Sequence, residues 1–263
     1  MADSKIVISD PWTHLKAYTR ARIALGRTGV SLPTDEILQF GYAHAKARDA
    51  VHAPLDASWL GEQVQRLGFE MVQAQSAAPD RATYLLRPDL GRRLSEESAR
   101  RLQEYQGKGF DVALVVGDGL SSLAVSRHAP AVLESLRLAF PAEWRISPVV
   151  ITTQARVALS DEVGALLQAK VVVMLVGERP GLTSPDSLGI YLTYAPEVGR
   201  QDAERNCISN VRPEGLSYLN AARKTVWLLK EALRLKLSGV GLKDESDVAV
   251  IATSTTPALA DRR

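Results

Sequence analysis

Apolar and polar positions alternate in two different ways along this chain, and the change falls near residue 105. Upstream, apolar residues recur at helical spacing in short blocks. Asp10-Pro11 offers an N-cap with proline at the first helical position, and Leu15, Tyr18, Arg22 and Leu25 continue that spacing to Gly26. Thr34 is placed to cap a second helix through Ile37, Leu38, Phe40, Ala45 and Val51. Asp56 or Ser58 is placed to cap a third, carrying Trp59, Leu60, Val64 and Leu67 and stopped by Gly68. Short strands are predicted at Phe69–Gln73 and Tyr84–Leu86, and Ser95 with Glu96 and Glu97 opens a further helix.

Downstream, continuous apolar runs of strand length alternate with helical segments. Strands are predicted at 111–116, 145–153, 170–176 and 188–194, with helices around 120–139 and 160–168. A long amphipathic helix follows Ser217, with Leu219, Ala222, Val226, Leu229, Leu233 and Leu237 on one face. Runs such as Val171–Val176 are apolar throughout, as in strands buried on both faces. The alternation predicts an α/β fold with a doubly wound, mostly parallel sheet behind a mainly helical N-terminal region. The expected organisation is 1–105 helical, 106–243 sheet domain, and 244–263 a loosely held tail without periodicity.

Composition narrows the classes. With 263 residues, 46% hydrophobic and 24% charged, the chain can bury a large core. A formal net charge of +2 gives no nucleic-acid footprint and no polybasic membrane patch. One cysteine, Cys207, excludes an internal disulfide framework and fits a reducing cytoplasmic compartment. No apolar run reaches the ~20 residues that span a bilayer.

Three segments carry candidate chemistry. Gly117-Asp118-Gly119-Leu120-Ser121-Ser122 leaves a predicted strand and resembles a dinucleotide fingerprint, but Ser122 stands where the third glycine belongs. Gly177-Glu178-Arg179-Pro180-Gly181, continuing to Leu188, is an elaborate connection or one wall of a site beyond the strand ends. Asp202–Val211 is rich in hydrogen-bonding side chains and reads as a polar loop before the last helix, or as the lining of a polar ligand. By default Cys207 is a small buried thiol. His14, His44, His52 and His128 form no zinc-spaced pair and read as surface or capping residues, and neither a G-x-S-x-G elbow nor a P-loop occurs.

Taken in order, five strings carry a resemblance: Gly26-Arg27-Thr28-Gly29; Tyr84-Leu85-Leu86-Arg87-Pro88-Asp89-Leu90-Gly91-Arg92-Arg93-Leu94; Gly117-Asp118-Gly119-Leu120-Ser121; Val176-Gly177-Glu178-Arg179-Pro180-Gly181-Leu182; and Asn206-Cys207-Ile208-Ser209-Asn210. With this order and spacing, from about Asp10 to Leu242, the chain resembles the small subunit of ethanolamine ammonia-lyase. The resemblance implies a Rossmann-like C-terminal domain that encloses adenosylcobalamin together with a large subunit, the N-terminal region serving for docking. It carries the cofactor contacts over to Val157, Glu178 and Cys207. It implies radical conversion of ethanolamine to acetaldehyde and ammonia, with the substrate site in the large subunit and no catalytic residue or metal ligand in this chain. Only nine residues precede Asp10, which argues against encapsulation in a bacterial microcompartment and for a cytoplasmic location. Competing readings are an assembly scaffold whose loops contact only protein, and a stand-alone nucleotide-dependent oxidoreductase.

Overall fold

A computed structural model describes residues 6–247. Six strands form one sheet in the order β1-β3-β2-β4-β5-β6, namely β1 (Met71–Gln75), β2 (Val112–Gly117), β3 (Ile146–Thr153), β4 (Val171–Gly177), β5 (Leu188–Tyr194) and β6 (Arg205–Val211). β1, β3, β2 and β4 run parallel, whereas β5 and β6 add antiparallel. The sheet is therefore mixed. Its centre is built from the runs that were apolar throughout: every residue of β2 and β4 is buried.

Among the described residues seven α-helices accompany the sheet: α1 (Thr34–His52), α2 (Ala57–Arg66), α3 (Arg81–Leu86), α4 (Glu96–Gln103), α5 (Ser122–Ala139), α6 (Leu159–Leu166) and α7 (Tyr218–Leu235). Strand residues of opposite parity face opposite sides, so the sheet has two separate cores. Leu114, Ile151, Val173 and Ile190 pack under α2, α5 and α7. Val115, Val150, Val172 and Met174 pack under α4 and α6. These last two helices have eight residues each; α6 covers Thr193 and Arg205 at one end of β5 and β6, but Tyr191 is left half-buried and Cys207 exposed.

Several expectations hold at residue level. Asp56 accepts from the Trp59 N–H and Ser95 from Ser98, each satisfying an otherwise orphaned helix N–H; the structure adds the same cap at Ser121 for Ala124 and at Ser217 for Asn220. Others need correction. Pro11–Ala17 is a 3-10 helix capped by Asp10, and helical spacing stops well before Gly26. Thr34 is the first residue of α1 and makes no cap bond. Tyr84–Leu86 lies inside α3, because Asp80 caps Thr83 and starts a helix there. β1 is an edge strand of the main sheet, paired with β3, so strands from both sides of residue 105 share one sheet. Asp202–Val211 is a 3-10 turn followed by β6, an edge strand, rather than a loop. Asp244 and Asp247 meet Lys224 of α7 at 3.1 and 2.7 Å, and residues 248–263 of the expected tail lie outside the described residues.

Candidate functional site

The carboxyl ends of β1, β3, β2 and β4 lie along one edge of the sheet, where open α/β sheets bind ligands. Three connections there are fixed to one another. Asp118, after β2, is buried and accepts from the backbone N–H groups of Gln154 and Ala155, both at 2.9 Å, and from Arg81 at 3.1 Å. Burial pushes its carboxyl above the usual range, while Arg81 and the backbone donors oppose that rise. Tyr84 donates to the Ala155 carbonyl, and the Arg81 and Arg156 guanidinium groups stand 4.8 and 4.4 Å from its ring centre. Burial raises the Tyr84 phenol to about 12.

The glycine-rich turn after β2 serves packing. Gly119 has φ +57°, and a Cβ on it would fall on the Gly177 carbonyl oxygen. A Cβ on Gly177 would in turn meet the carbonyls of Ser121 and Asp118, and Leu120 N–H donates to the Gly177 carbonyl at 3.0 Å. Ser121 Oγ also donates to Pro185 in the 178–187 loop, and Arg127 holds Asp186 at 2.7 Å. The two glycine strings that stood out in the sequence thus interlock backbone to backbone.

Val157, after β3, and Glu178, after β4, line one cleft of about 450 Å³ with Tyr84, Arg156, Arg179 and Tyr191. Glu178 continues the parity of Val172, Met174 and Val176, so it leans over the α4/α6 face of the sheet. Gly189 of β5 makes room for it: a Cβ there would stand 3.2 Å from both Glu178 Oε1 and the Tyr191 ring. The Glu178 carboxylate accepts from Asn210 N–H at 3.2 Å, joining the ends of β4 and β6.

Cys207 sits in mid-strand on β6 opposite Tyr191, on the uncovered face below Glu178. It is exposed, contrary to the buried thiol expected. Even so, the surrounding protein raises its thiol pKa by desolvation, with a hydrogen bond to Tyr191 opposing and Glu178 adding to the rise. The thiol is therefore the protonated, weakly nucleophilic form at neutral pH. Tyr191 is raised too, by burial first and then by Cys207 and Glu178. Val157, Glu178 and Cys207 thus stand around one strip of open sheet, with Tyr191 between the last two.

Sequence reasoning missed Tyr84, Arg156, Gly189 and Tyr191. Gly189 and Tyr191 alternate on β5, a period-2 signal visible in Leu188–Tyr194. Arg156 follows Gln154, whose φ of +56° no sequence rule anticipates. His128 also departs from expectation: it is buried, with Nδ1 2.8 Å from the Tyr218 hydroxyl. Among the described residues no helix is long and apolar enough to cross a membrane.

Comparison with known proteins adds the family. The sequence pattern described as "Ethanolamine ammonia-lyase light chain (EutC)" matches residues 9–243. A protein of Azotobacter vinelandii named ethanolamine ammonia-lyase small subunit is 55% identical over 253 residues, covering 95% of this chain and 94% of the relative. Small subunits of the same name from Xanthomonas campestris pv. campestris and Pseudomonas fluorescens are each 56% identical, covering 96% and 92% of this chain and 94% and 90% of the relatives.

Proposed function

The chain belongs to the family of ethanolamine ammonia-lyase small (light) subunits, and from that premise we propose that it binds a large subunit and, with it, encloses adenosylcobalamin. The observation that carries this reading is the gathering of Val157, Glu178 and Cys207 on one side of the sheet, the first two lining a cleft too small for a corrinoid coenzyme. About 450 Å³ suits a drug-sized ligand, for which ~300–1,000 Å³ is usual. One face of a larger group fits there; the remainder needs a second protein wall. The Rossmann-like reading is part of the same proposal, supported by four parallel strands with helices on both faces. β5, antiparallel to both β4 and β6, modifies that plan.

The donor set suits such a group. The Glu178 carboxylate has four lone-pair sites and spends few of them on Asn210, so it can accept from amide or hydroxyl groups. Val157 supplies an apolar wall, and Cys207 supplies shape and edge-strand backbone. When bound, adenosylcobalamin supplies homolysis of its cobalt–carbon bond, which starts the conversion of ethanolamine to acetaldehyde and ammonia. This chain binds, orients and shields; the substrate site belongs to the large subunit.

The N-terminal segment supports docking. Ile37, Leu38, Phe40 and Tyr42 of α1 are all exposed, as are Trp12, Tyr18 and Val30 before it. So many exposed large apolar side chains within one segment suit a protein interface.

The assembled complex, titrated with adenosylcobalamin and followed by visible absorption, is expected to bind it and to release ammonia from ethanolamine. A complex that does neither overturns the reading. Glu178→Gln is expected to weaken cofactor binding roughly 5- to 150-fold, the loss of one charge-assisted hydrogen bond. Glutamine keeps an acceptor for Asn210 N–H, so the melting temperature of the apo complex stays near that of the parent. If affinity is unchanged and melting falls, Glu178 is a clasp between β4 and β6 only.

A further inference from the structure

Beside the cleft of Val157 and Glu178 lies a second, larger one of about 780 Å³, with Val157 in the wall between them. Five arginines line it against one acidic residue, Asp202. Three of the five already have anionic partners. Arg93 forms a double hydrogen bond with Glu162 at 3.0 and 3.1 Å, Arg200 meets Glu204 at 2.6 Å, and Arg205 is held by Asp161. The other two do not.

Among the described residues Arg92 makes no side-chain hydrogen bond or ion pair, and it is exposed at the cleft wall. Arg156 has no carboxylate partner either. Its Nη2 makes one long bond of 3.4 Å to the Tyr84 carbonyl, its guanidinium lies 4.4 Å from the Tyr84 ring centre, and its Nε is buried without any acceptor. A buried N–H left unbonded costs free energy, so a native structure that keeps one points to an acceptor not in this chain. The backbone brings the pair together: Arg156 N–H donates to the Gly91 carbonyl at 2.8 Å, and Arg92 is the next residue. The Arg93–Glu162 pair and the Arg156 stack on Tyr84 hold this corner in place.

We propose that Arg92 and Arg156 form a subsite for a phosphate oxyanion, next to the cleft of Val157 and Glu178. The planar, permanently charged guanidinium is the side chain best matched to a phosphate's paired oxygens. The inference rests on the cobalamin reading, under which the phosphate is the phosphodiester of the coenzyme's nucleotide tail. Free inorganic phosphate is the other source of the same chemistry.

The assembled complex with the large subunit is titrated with adenosylcobalamin and with adenosylcobinamide, which lacks the tail and its phosphate, each with and without inorganic phosphate. Arg92→Gln, at an exposed residue with no partner to lose, and the double variant with Arg156→Lys, which keeps the charge but not the fork, are compared with the parent. The expected result is that Arg92→Gln lowers affinity for the intact coenzyme roughly ten- to hundred-fold and leaves affinity for the truncated one unchanged. Arg156→Lys is expected to deepen that selective loss. Competition by inorganic phosphate against the intact coenzyme alone supports the shared subsite. Equal losses for both corrinoids, or no loss, overturn the inference while leaving the cobalamin reading standing. Weaker subunit assembly with unchanged corrinoid selectivity assigns the arginines to a partner carboxylate and also overturns it. A parent complex that binds neither corrinoid overturns both readings.

Discussion

α1 and α5 are 19 and 18 residues long, and they differ almost completely in what they bury. α5 buries eight residues against the sheet and α7, among them Val125, Val132, Leu133 and Leu136. α1 buries Ala50 alone, at its last turn, while four large apolar side chains in its first half face outward. Most helices in proteins are held by tertiary packing rather than by propensity. By that standard α5 belongs to this chain's own fold, whereas α1 leaves its large apolar side chains open, as the docking role proposed above requires.

Removing residues 1–48 tests the contrast most severely. The cut spares Val51 and Ala53, whose carbonyls accept from Arg81 and Ser122, so the sheet should fold and melt cooperatively. Co-purification with the large subunit should be lost altogether. A cut at Leu86 would be a poorer experiment, since it removes β1 and the buried Tyr84. Full-stoichiometry assembly by the shortened chain would break the comparison.

Single substitutions sharpen it. Leu133→Ala in α5 should destabilise the isolated chain by about 2–5 kcal/mol, the usual cost of emptying a fully buried leucine site. Leu38→Ala in α1 should stay within about 0.5 kcal/mol by denaturant unfolding, as for ordinary surface changes. In the complex the order should reverse, with Leu38→Ala weakening subunit affinity and Leu133→Ala leaving it unchanged once folded. Equal effects of both on the isolated chain would show that α1 is already packed.

The smallest expected effect concerns pH. Burial pushes the His128 imidazole of α5 below its ordinary value, with Asp186 opposing. A histidine lowered in the folded state binds fewer protons there than in the unfolded chain. Stability is then full above the unfolded pKa of about 6.5 and falls as pH drops below it. The parent should therefore melt lower at pH 5.5 than at pH 7.5, and His128→Gln should flatten that slope.

Much of the fold was legible because burial leaves a strong trace in sequence. β4, buried on both sides, is seven residues without a charge, and Asp56 and Ser95 announced α2 and α4. β6 was illegible for a physical reason. Only Arg205, Ile208 and Val211 are buried on it, a spacing of three, because its pairing with β5 slips at Leu188/Ile190 and Asn210 adopts φ +58°. A bulged edge strand looks like a polar loop. The site was legible in part: Glu178 stands at the exit of an obvious strand, whereas Tyr191 and Arg156 reach the cleft through pairing and turns that one-dimensional patterns do not encode.

The interlocking of Gly119 with Gly177 has a mechanical consequence. With backbone carbonyls filling the space where two side chains would be, the walls after β2 and β4 move as one stiff jaw. If it holds a ligand jointly with the large subunit, as proposed, closing on that ligand falls to the large subunit, and so does the ordering entropy of capture.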